Sequence, residues 1–508
     1  METYDAIVIG SGAGGLAAAL RLSRLNFSVL ILEAASSFGG YINSFSRKGY
    51  TFDTGLHFLV VDENSRRVLD ELGINDTIKF KEFNSDGYDR IIFPDYECQV
   101  CKGRERFKEK LIRDFPKEER GIHKFFKVAD KILRAVMASV SMGPGLPGML
   151  SFIMRHPVML KFSRVTYQSF LDQIVSDKRL KALLAAPSFY YGTPPDRASA
   201  IFPLLIWMGM LQGECYPQGG SKAFKDAFVK GLSRHGAVLK NNSRVVAIRK
   251  RGDAFVVETE AGQEYSSKVV ISNADPTITL GKLVTPDLIP SKIKRKVKKL
   301  SPSEGSFYAF IGTDLDLASS GVIDSHLMYY DSYDLNKIFK NQLEHNPRDV
   351  FSNFFITSSS VKDPDGSHAP EGFHTLEVFS WAMNYNLFEK WAGLPSMKRG
   401  EEYKALKNEI GDRLIIAAEK YIPGLTGHID YVDYATPLSN EYWVNAVRGG
   451  NYSIDHTPDQ VGRNRFSTFT SGIDGLYLAG AGTIGCGVMT CIASGFLSAN
   501  KAAEYLKS

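Results

Sequence analysis

The first pattern along the chain is a short apolar run, Tyr4–Ile9 (YDAIVI). It lacks the alternation of a half-exposed strand and reads as a fully buried one. A glycine cluster follows at Gly10–Gly15 (GSGAGG). Leu16–Leu25 then places apolar residues at helical spacing, and Ser28–Leu32 forms a second buried run closed by Glu33. Strand, turn, helix and strand in this order make a βαβ unit. The buried-strand signature returns at Lys268–Ser272 and at Gly475–Gly480, the latter followed by more glycines and a helical pattern over Met489–Leu506. Between these lie a helix over Ala223–His235 and strands over Val238–Leu239, Arg244–Ile248 and Phe255–Thr259, with Tyr216–Ser221 read as a turn. Phe83–Gly213 differs in character, with basic amphipathic helices followed by strongly apolar segments. Ile289–Leu300 reads as a basic helix, and Ser306–Tyr434 mixes both periods. The expected fold is therefore α/β: a discontinuous Rossmann-like nucleotide-binding domain over 1–82, 214–285 and 435–508, with a mixed α+β substrate domain inserted as 83–213 and 286–434.

Composition narrows the class. The chain has 508 residues, 44% hydrophobic, and 23% charged with a formal net charge of +5, which excludes a disordered chain and gives no footing for nucleic-acid binding. The 32 Phe and 23 Tyr are enough to line a large apolar site. Cys98 and Cys101 form one CxxC without a second pair at zinc spacing, so they read as structural, and no metal-ligand motif is present. The opening METYDAIVIG has no basic leader, and the uncharged runs Ala135–Met154 and Gly475–Asn500 are interrupted by Gly and Pro, so no spanning helix is expected. The first run is nevertheless Met-rich (Met137, Met142, Met149, Met154, then Met159) and flanked by Arg134, Arg155, Lys161 and Arg164. That pattern suits dipping into one leaflet, and the cations of Lys292–Lys299 suit anionic lipids. The expectation is a cytoplasmic protein, peripheral on the inner face of a membrane.

Gly10, Gly12 and Gly15 form GxGxxG after a strand and at the start of a helix. In that context the glycines allow a tight turn, backbone approach to a pyrophosphate and close helix packing. The backbone of Ala13 and Gly14 belongs to the same anion-binding helix start. Glu33, at the end of the second strand, is placed to accept from ribose hydroxyls and to repel a 2′-phosphate. Gly480–Gly485 (GAGTIG) repeats the spacing, but the stretch to Ser508 is too short for a second dinucleotide unit. It reads instead as a strand and helix start that close the first domain. There Gly482, Gly485 and Gly487 let backbone approach a bound ligand, and the helix beginning near Val488 stabilises negative charge on it.

Several segments together resemble the phytoene desaturase, carotenoid isomerase and retinol saturase branch of the FAD-dependent amine oxidase superfamily. They are Glu33-Ala-Ala-Ser-Ser-Phe-Gly39-Gly40, Phe52-Asp-Thr-Gly-Leu-His-Phe58, Tyr216-Pro-Gln-Gly-Gly220 and Val270-Ile-Ser-Asn-Ala-Asp-Pro276. Asp363-Pro364 with Ala369-Pro-Glu-Gly372, Tyr434-Ala-Thr-Pro-Leu438, Gly449-Gly-Asn-Tyr452 and Gly475-Leu-Tyr-Leu-Ala-Gly-Ala-Gly482 complete the set. The resemblance implies FAD held by Ala34, Gly39, Gly40, Gly55, Leu56, Val245, Asn273, Gly480, Ala481, Gly482, Gly487, Val488 and Met489 besides the residues above. Tyr41 stands where the family usually carries Arg. It further implies a hydrophobic polyene or isoprenoid substrate undergoing saturation, desaturation or cis-trans isomerisation. His57, in the flavin-edge motif, is the candidate proton donor; Cys486 reads mainly as packing. No GxSxG, HExxH or P-loop lysine is present, as hydride chemistry on a polyene requires none. The rival readings are an amine oxidase and a flavin-free escort for prenylated partners.

Overall fold

The computed structural model of the chain describes residues 1–140, 151–152, 154–322, 324–344, 351–467 and 471–508. Two seven-stranded sheets organise it. At the centre of the first, Glu2–Ile9 pairs in parallel with Val29–Leu32 on one side and with Glu264–Ser272 on the other. Val238–Lys240 extends the parallel part beyond Val29–Leu32. The outer edge of Glu264–Ser272 is shared: its first half pairs antiparallel with Ala254–Thr259, its second half in parallel with Leu476–Leu478. Strands from the start, middle and end of the chain thus form one sheet. The central strand needs its apolar run because both faces are covered; Ala6, Ile7 and Val8 are wholly buried.

The second sheet runs in the order Ile429–Ala435, Gly305–Thr313, His374–Met383, Asn353–Thr357, His326–Tyr330, Asp89–Phe93 and Tyr96–Val100. All its pairings are antiparallel except that of His326–Tyr330 with Asp89–Phe93. Against it packs a helical layer that includes Arg104–Asp114, Glu119–Val140 and Ile201–Met210. Ile201–Met210 is apolar all round because it is enclosed, with Trp207 stacked on Phe107 at 5.1 Å. A cleft of about 720 Å³ lined by Lys178, Lys181, Tyr333, Asp334 and Asn336 opens beside this layer, and no residue of the glycine turns borders it.

Two local expectations change. The basic helix is Ser291–Val297, shorter than Ile289–Leu300, because Pro290 sits at its start and beyond Lys298 the backbone bonds tighten to three-residue spacing. One of its cations, Lys296, turns inward, donating to the Arg465 carbonyl at 2.8 Å. Tyr216–Ser221 is not a bare turn: Cys215–Pro217 pairs with Phe80–Glu82, and Gly220 already opens the helix Gly220–Arg234. Cys98 and Cys101 are free and buried at the end of the Asp89–Val100 hairpin, and burial pushes the Cys98 thiol up to about 12. Most of Ala135–Met154, including Met142 and Met149, lies outside the described residues. Among the described residues no helix is long and apolar enough to cross a membrane.

Candidate active site

The glycine turn is built by close approach. Gly10 has φ +85°, and a side chain on Gly15 would collide with the Gly10 carbonyl. A Cβ on Gly14 would stand 2.8 Å from the Gly480 nitrogen and 3.0 Å from the Cys491 carbonyl. The N-terminal helix Ala13–Arg24 and the C-terminal helix Val488–Lys507 therefore cross almost backbone to backbone, with Gly495 against Gly14. Neither helix start has a side-chain cap or an acid in its first turn. Each leaves backbone N–H groups and a partial positive charge for a ligand.

Glu33 stands beside this turn. Its carboxylate accepts from the Ser11 N–H (2.8 Å), the Ser11 hydroxyl (2.6 Å) and the Ala35 N–H (2.8 Å). A carboxylate has further lone pairs, so Glu33 keeps capacity for a ribose. Ala34 lies between Glu33 and Ala35. The Gly39 N–H reaches the Ser11 carbonyl at 3.1 Å, and a Cβ on Gly40 would lie 3.3 Å from the Gly12 Cα, so the double glycine folds over the turn. Val245 is buried at the head of its strand, two residues after Ser243, whose N–H bonds the Glu33 carbonyl. Asn273 is the hub: its side chain abuts Gly12, Gly14 and Gly480, and its Oδ1 has no hydrogen-bond partner.

Tyr41 carries no charge to the turn; its hydroxyl donates to the Gly450 carbonyl (3.1 Å) and its backbone packs on Gly55. Leu56 is wholly buried, its carbonyl accepting from Ser221. On the C-terminal side, Arg465 donates to the Ala481 carbonyl at 2.6 Å and pins the Gly480–Gly482 turn. Gly487 has φ +93° and is exposed, with only Thr490 near its missing side chain, and it opens onto Val488 and Met489. Bare helix starts, glycine-lined backbone and a carboxylate at ribose distance along the sheet fit a flavin dinucleotide.

His57 is 7% exposed, and neither ring nitrogen has a hydrogen-bond partner. It stacks on Phe379 at 5.1 Å and on Tyr308 at 6.2 Å. Burial, with Lys362 and His326 nearby, holds its pKa well below the ordinary range, so the ring is neutral at pH 7. The candidate proton donor is thus a neutral ring that offers one N–H and one lone pair. Around it Phe379 meets Trp381 at 5.4 Å, and Trp381 stacks on Tyr452 at 5.6 Å. Cys486, between Gly485 and Gly487, lies with its Sγ 3.7 Å from the Tyr190 carbonyl; burial lifts its thiol to about 12, which leaves it inert at neutral pH.

Beneath His57 lies a buried polar layer that the sequence did not reveal. The two-residue turn Lys48-Gly49, with both φ positive, reverses the hairpin Ser44–Arg47/Tyr50–Asp53 and delivers Asp53. Asp53 accepts from the Tyr216 hydroxyl and from the Ser221 N–H (3.0 Å) at the start of the helix Gly220–Arg234. Ser359 bridges Asp53 (3.4 Å) to Glu377 (3.2 Å). Lys362, wholly buried, donates to the His57 carbonyl (2.8 Å) and the Thr357 hydroxyl (2.9 Å), with its ammonium 4.5 Å from the Tyr216 ring centre. Asp363, next in sequence, accepts from the Gly219 N–H at 2.6 Å. Three of the segments that carry the resemblance thus meet at one point. Burial pulls Lys362 down to about 8 and pushes Glu377 up to about 8. The only advance signal was that Asp53, Tyr216 and Asp363 each sit inside a segment that carries the family resemblance.

An all-trans-retinol 13,14-reductase of Danio rerio is 26% identical over 96% of this chain and 84% of its own. A chloroplastic prolycopene isomerase of an Oncidium hybrid cultivar is 28% identical over 99% and 84%. A 4,4'-diapophytoene desaturase of Methylomonas sp is 24% identical over 98% and 95%. Among solved structures, a putrescine oxidase shares the fold with a TM-score of 0.68 at 14% identity over 99% of both chains. Residues 13–506 match the family described as flavin containing amine oxidoreductase. The chain belongs to that family, and it is a flavin-dependent oxidoreductase by fold, cradle and kinship.

Proposed function

We propose that the protein binds FAD and changes the redox state or the geometry of C=C bonds in a hydrophobic isoprenoid polyene, of the retinoid or carotenoid kind. The observation that carries the reading is the environment of His57: a neutral ring stacked on Tyr308 and Phe379, with Trp381 against Phe379. The full dinucleotide set, from Glu33 through Val245, supports FAD over a mononucleotide. When bound, FAD supplies a ring that exchanges a hydride with carbon. The protein's own part is to hold a flat chain between aromatic faces, exclude water, and present one N–H of His57 for a proton that saturation or isomerisation needs. The kinship with a retinol reductase, a prolycopene isomerase and a diapophytoene desaturase supports the same substrate class.

The test is anaerobic incubation of the flavin-loaded protein with retinoid and carotenoid polyenes, followed by product analysis. A saturated, desaturated or isomerised polyene is expected. Peroxide release on amines with no polyene product would replace this reading with the amine oxidase, and a colourless purified protein would favour the escort.

We also propose peripheral contact with the inner face of a membrane. Met137, Met154 and Leu160 are exposed on either side of the run 141–150 and support it. Sedimentation with anionic liposomes, lost when Met154 and Leu160 are changed to Glu, is the expected result; a protein that stays in the supernatant refutes it.

A further inference from the structure

Asp89, Glu214 and His326 converge behind the His57 loop from three separate segments. Asp89 and His326 are direct partners in the parallel strand pair, and Glu214 precedes Cys215–Pro217. All three are buried, and one ligand atom from each lies within 4.8 Å of the others. His326 Nδ1 is 3.1 Å from Asp89 Oδ1 and 3.6 Å from Glu214 Oε2. Its Nε2 is 3.4 Å from the His57 carbonyl. Both ring nitrogens therefore face only acceptors, while a neutral imidazole carries one N–H. Neither oxygen of Glu214 has a hydrogen-bond partner, although the residue is 2% exposed. Phe58, Phe83 and Phe355 surround the imidazole and offer nothing polar. The wider layer holds four buried carboxyls, Asp53, Asp89, Glu214 and Glu377, of which Asp53, Glu214 and Glu377 act on the ammonium of Lys362.

We infer that Asp89, Glu214 and His326 form a binding site for one divalent first-row transition-metal ion. The ion takes the lone pair of His326 Nδ1 and gives both bare oxygens of Glu214 a partner. His326 Nε2–H then donates to the His57 carbonyl, the outer hydrogen bond that metal-bound histidines commonly make. One nitrogen with two carboxylates suits zinc, manganese or ferrous iron better than magnesium or calcium, which prefer oxygen alone. Such an ion ties the second sheet to the segment carrying Glu214 and, through His326, to the loop of His57. The role is structural and independent of the polyene reading.

The experiment uses the full flavin-loaded chain. It is stripped with a chelator, then titrated with Zn2+, Mn2+ or Fe2+, with metal analysis and thermal unfolding as readouts. Binding of about one ion per chain and a rise in Tm are expected, as for a site that couples metal to folding. Glu214→Gln, close in shape, is expected to hold less than about a tenth of an ion per chain while keeping its flavin. Full occupancy in Glu214→Gln would overturn the ligand assignment. Absence of binding and of any Tm shift in the wild type would overturn the site. The wild-type titration decides even if the variant fails to accumulate.

Discussion

The two sheets build their sites by opposite means. On the first, the cradle is made of backbone: Gly14 against the Gly480 nitrogen, Gly40 over Gly12, and two helix starts without caps. Its specificity lies in what is missing, since almost any side chain would fill the space. On the second, the layer beneath His57 is made of side chains: Lys362, Glu377, Asp53 and Tyr216 hold one another across segments far apart in the chain. A backbone site tolerates no additions, whereas a buried polar layer tolerates no deletions, because each group satisfies another out of water.

The comparison is broken most severely at Lys362. Lys362→Met takes the buried cation from beside Asp53, leaves the His57 carbonyl and Thr357 hydroxyl without their donor, and should lower stability by about 3–5 kcal/mol; the double change Lys362→Met with Asp53→Asn should recover part of it. Chemical denaturation of both variants measures this, and equal losses would show that the pair is not coupled. On the backbone side, Glu33→Ala removes charge-assisted acceptors from Ser11, Ala35 and the ribose, and should weaken flavin retention by about 1.5–3 kcal/mol. Unchanged retention on dialysis would remove Glu33 from the site. Gly487→Val forces a branched residue to φ +93°, a strain of about 1–3 kcal/mol next to the exposed helix start. Loss of flavin or of turnover is expected, while His57→Ala keeps a measurable rate. A dead His57→Ala with flavin bound and an active Gly487→Val would reverse the positioning account.

The smallest effect sharpens the polar side. Glu377 titrates near 8 in the folded chain against an ordinary 4.5, so between those values the folded state holds a proton that the unfolded state has released. Stability from this group is full below about 4.5 and declines as pH rises through about 8. Lys362, pulled down to about 8, acts in the opposite sense at higher pH, where stability returns. Glu377→Gln should therefore flatten the fall in Tm between pH 5 and 8. An unaltered slope would assign the pH dependence elsewhere.

The cradle was legible because its determinants are local. GxGxxG lies between a buried strand and an amphipathic helix, Glu33 closes the next strand, and each step follows from short-range periodicity and glycine sterics. The over-long helix at Ile289–Leu300 shows the limit of such reading: a charge run has no period that marks its end, and Pro290 set the start. His57 was visible as a residue but not in its state. Its sequence neighbours are ordinary; Phe379, Tyr308 and Lys362, which dry the ring and keep it neutral, lie more than two hundred positions away.

What the sequence determined by itself is the α/β class, the glycine cradle and the aromatic wealth that suits a hydrophobic substrate. The tertiary structure alone decided that Asp53, Tyr216 and Asp363 meet, that Lys362 and Glu377 lie buried beneath His57, and that Asp89, Glu214 and His326 converge. The physical reason is range. Backbone sites follow from the conformations of adjacent residues, whereas buried charges find partners only when distant strands have packed and water is gone.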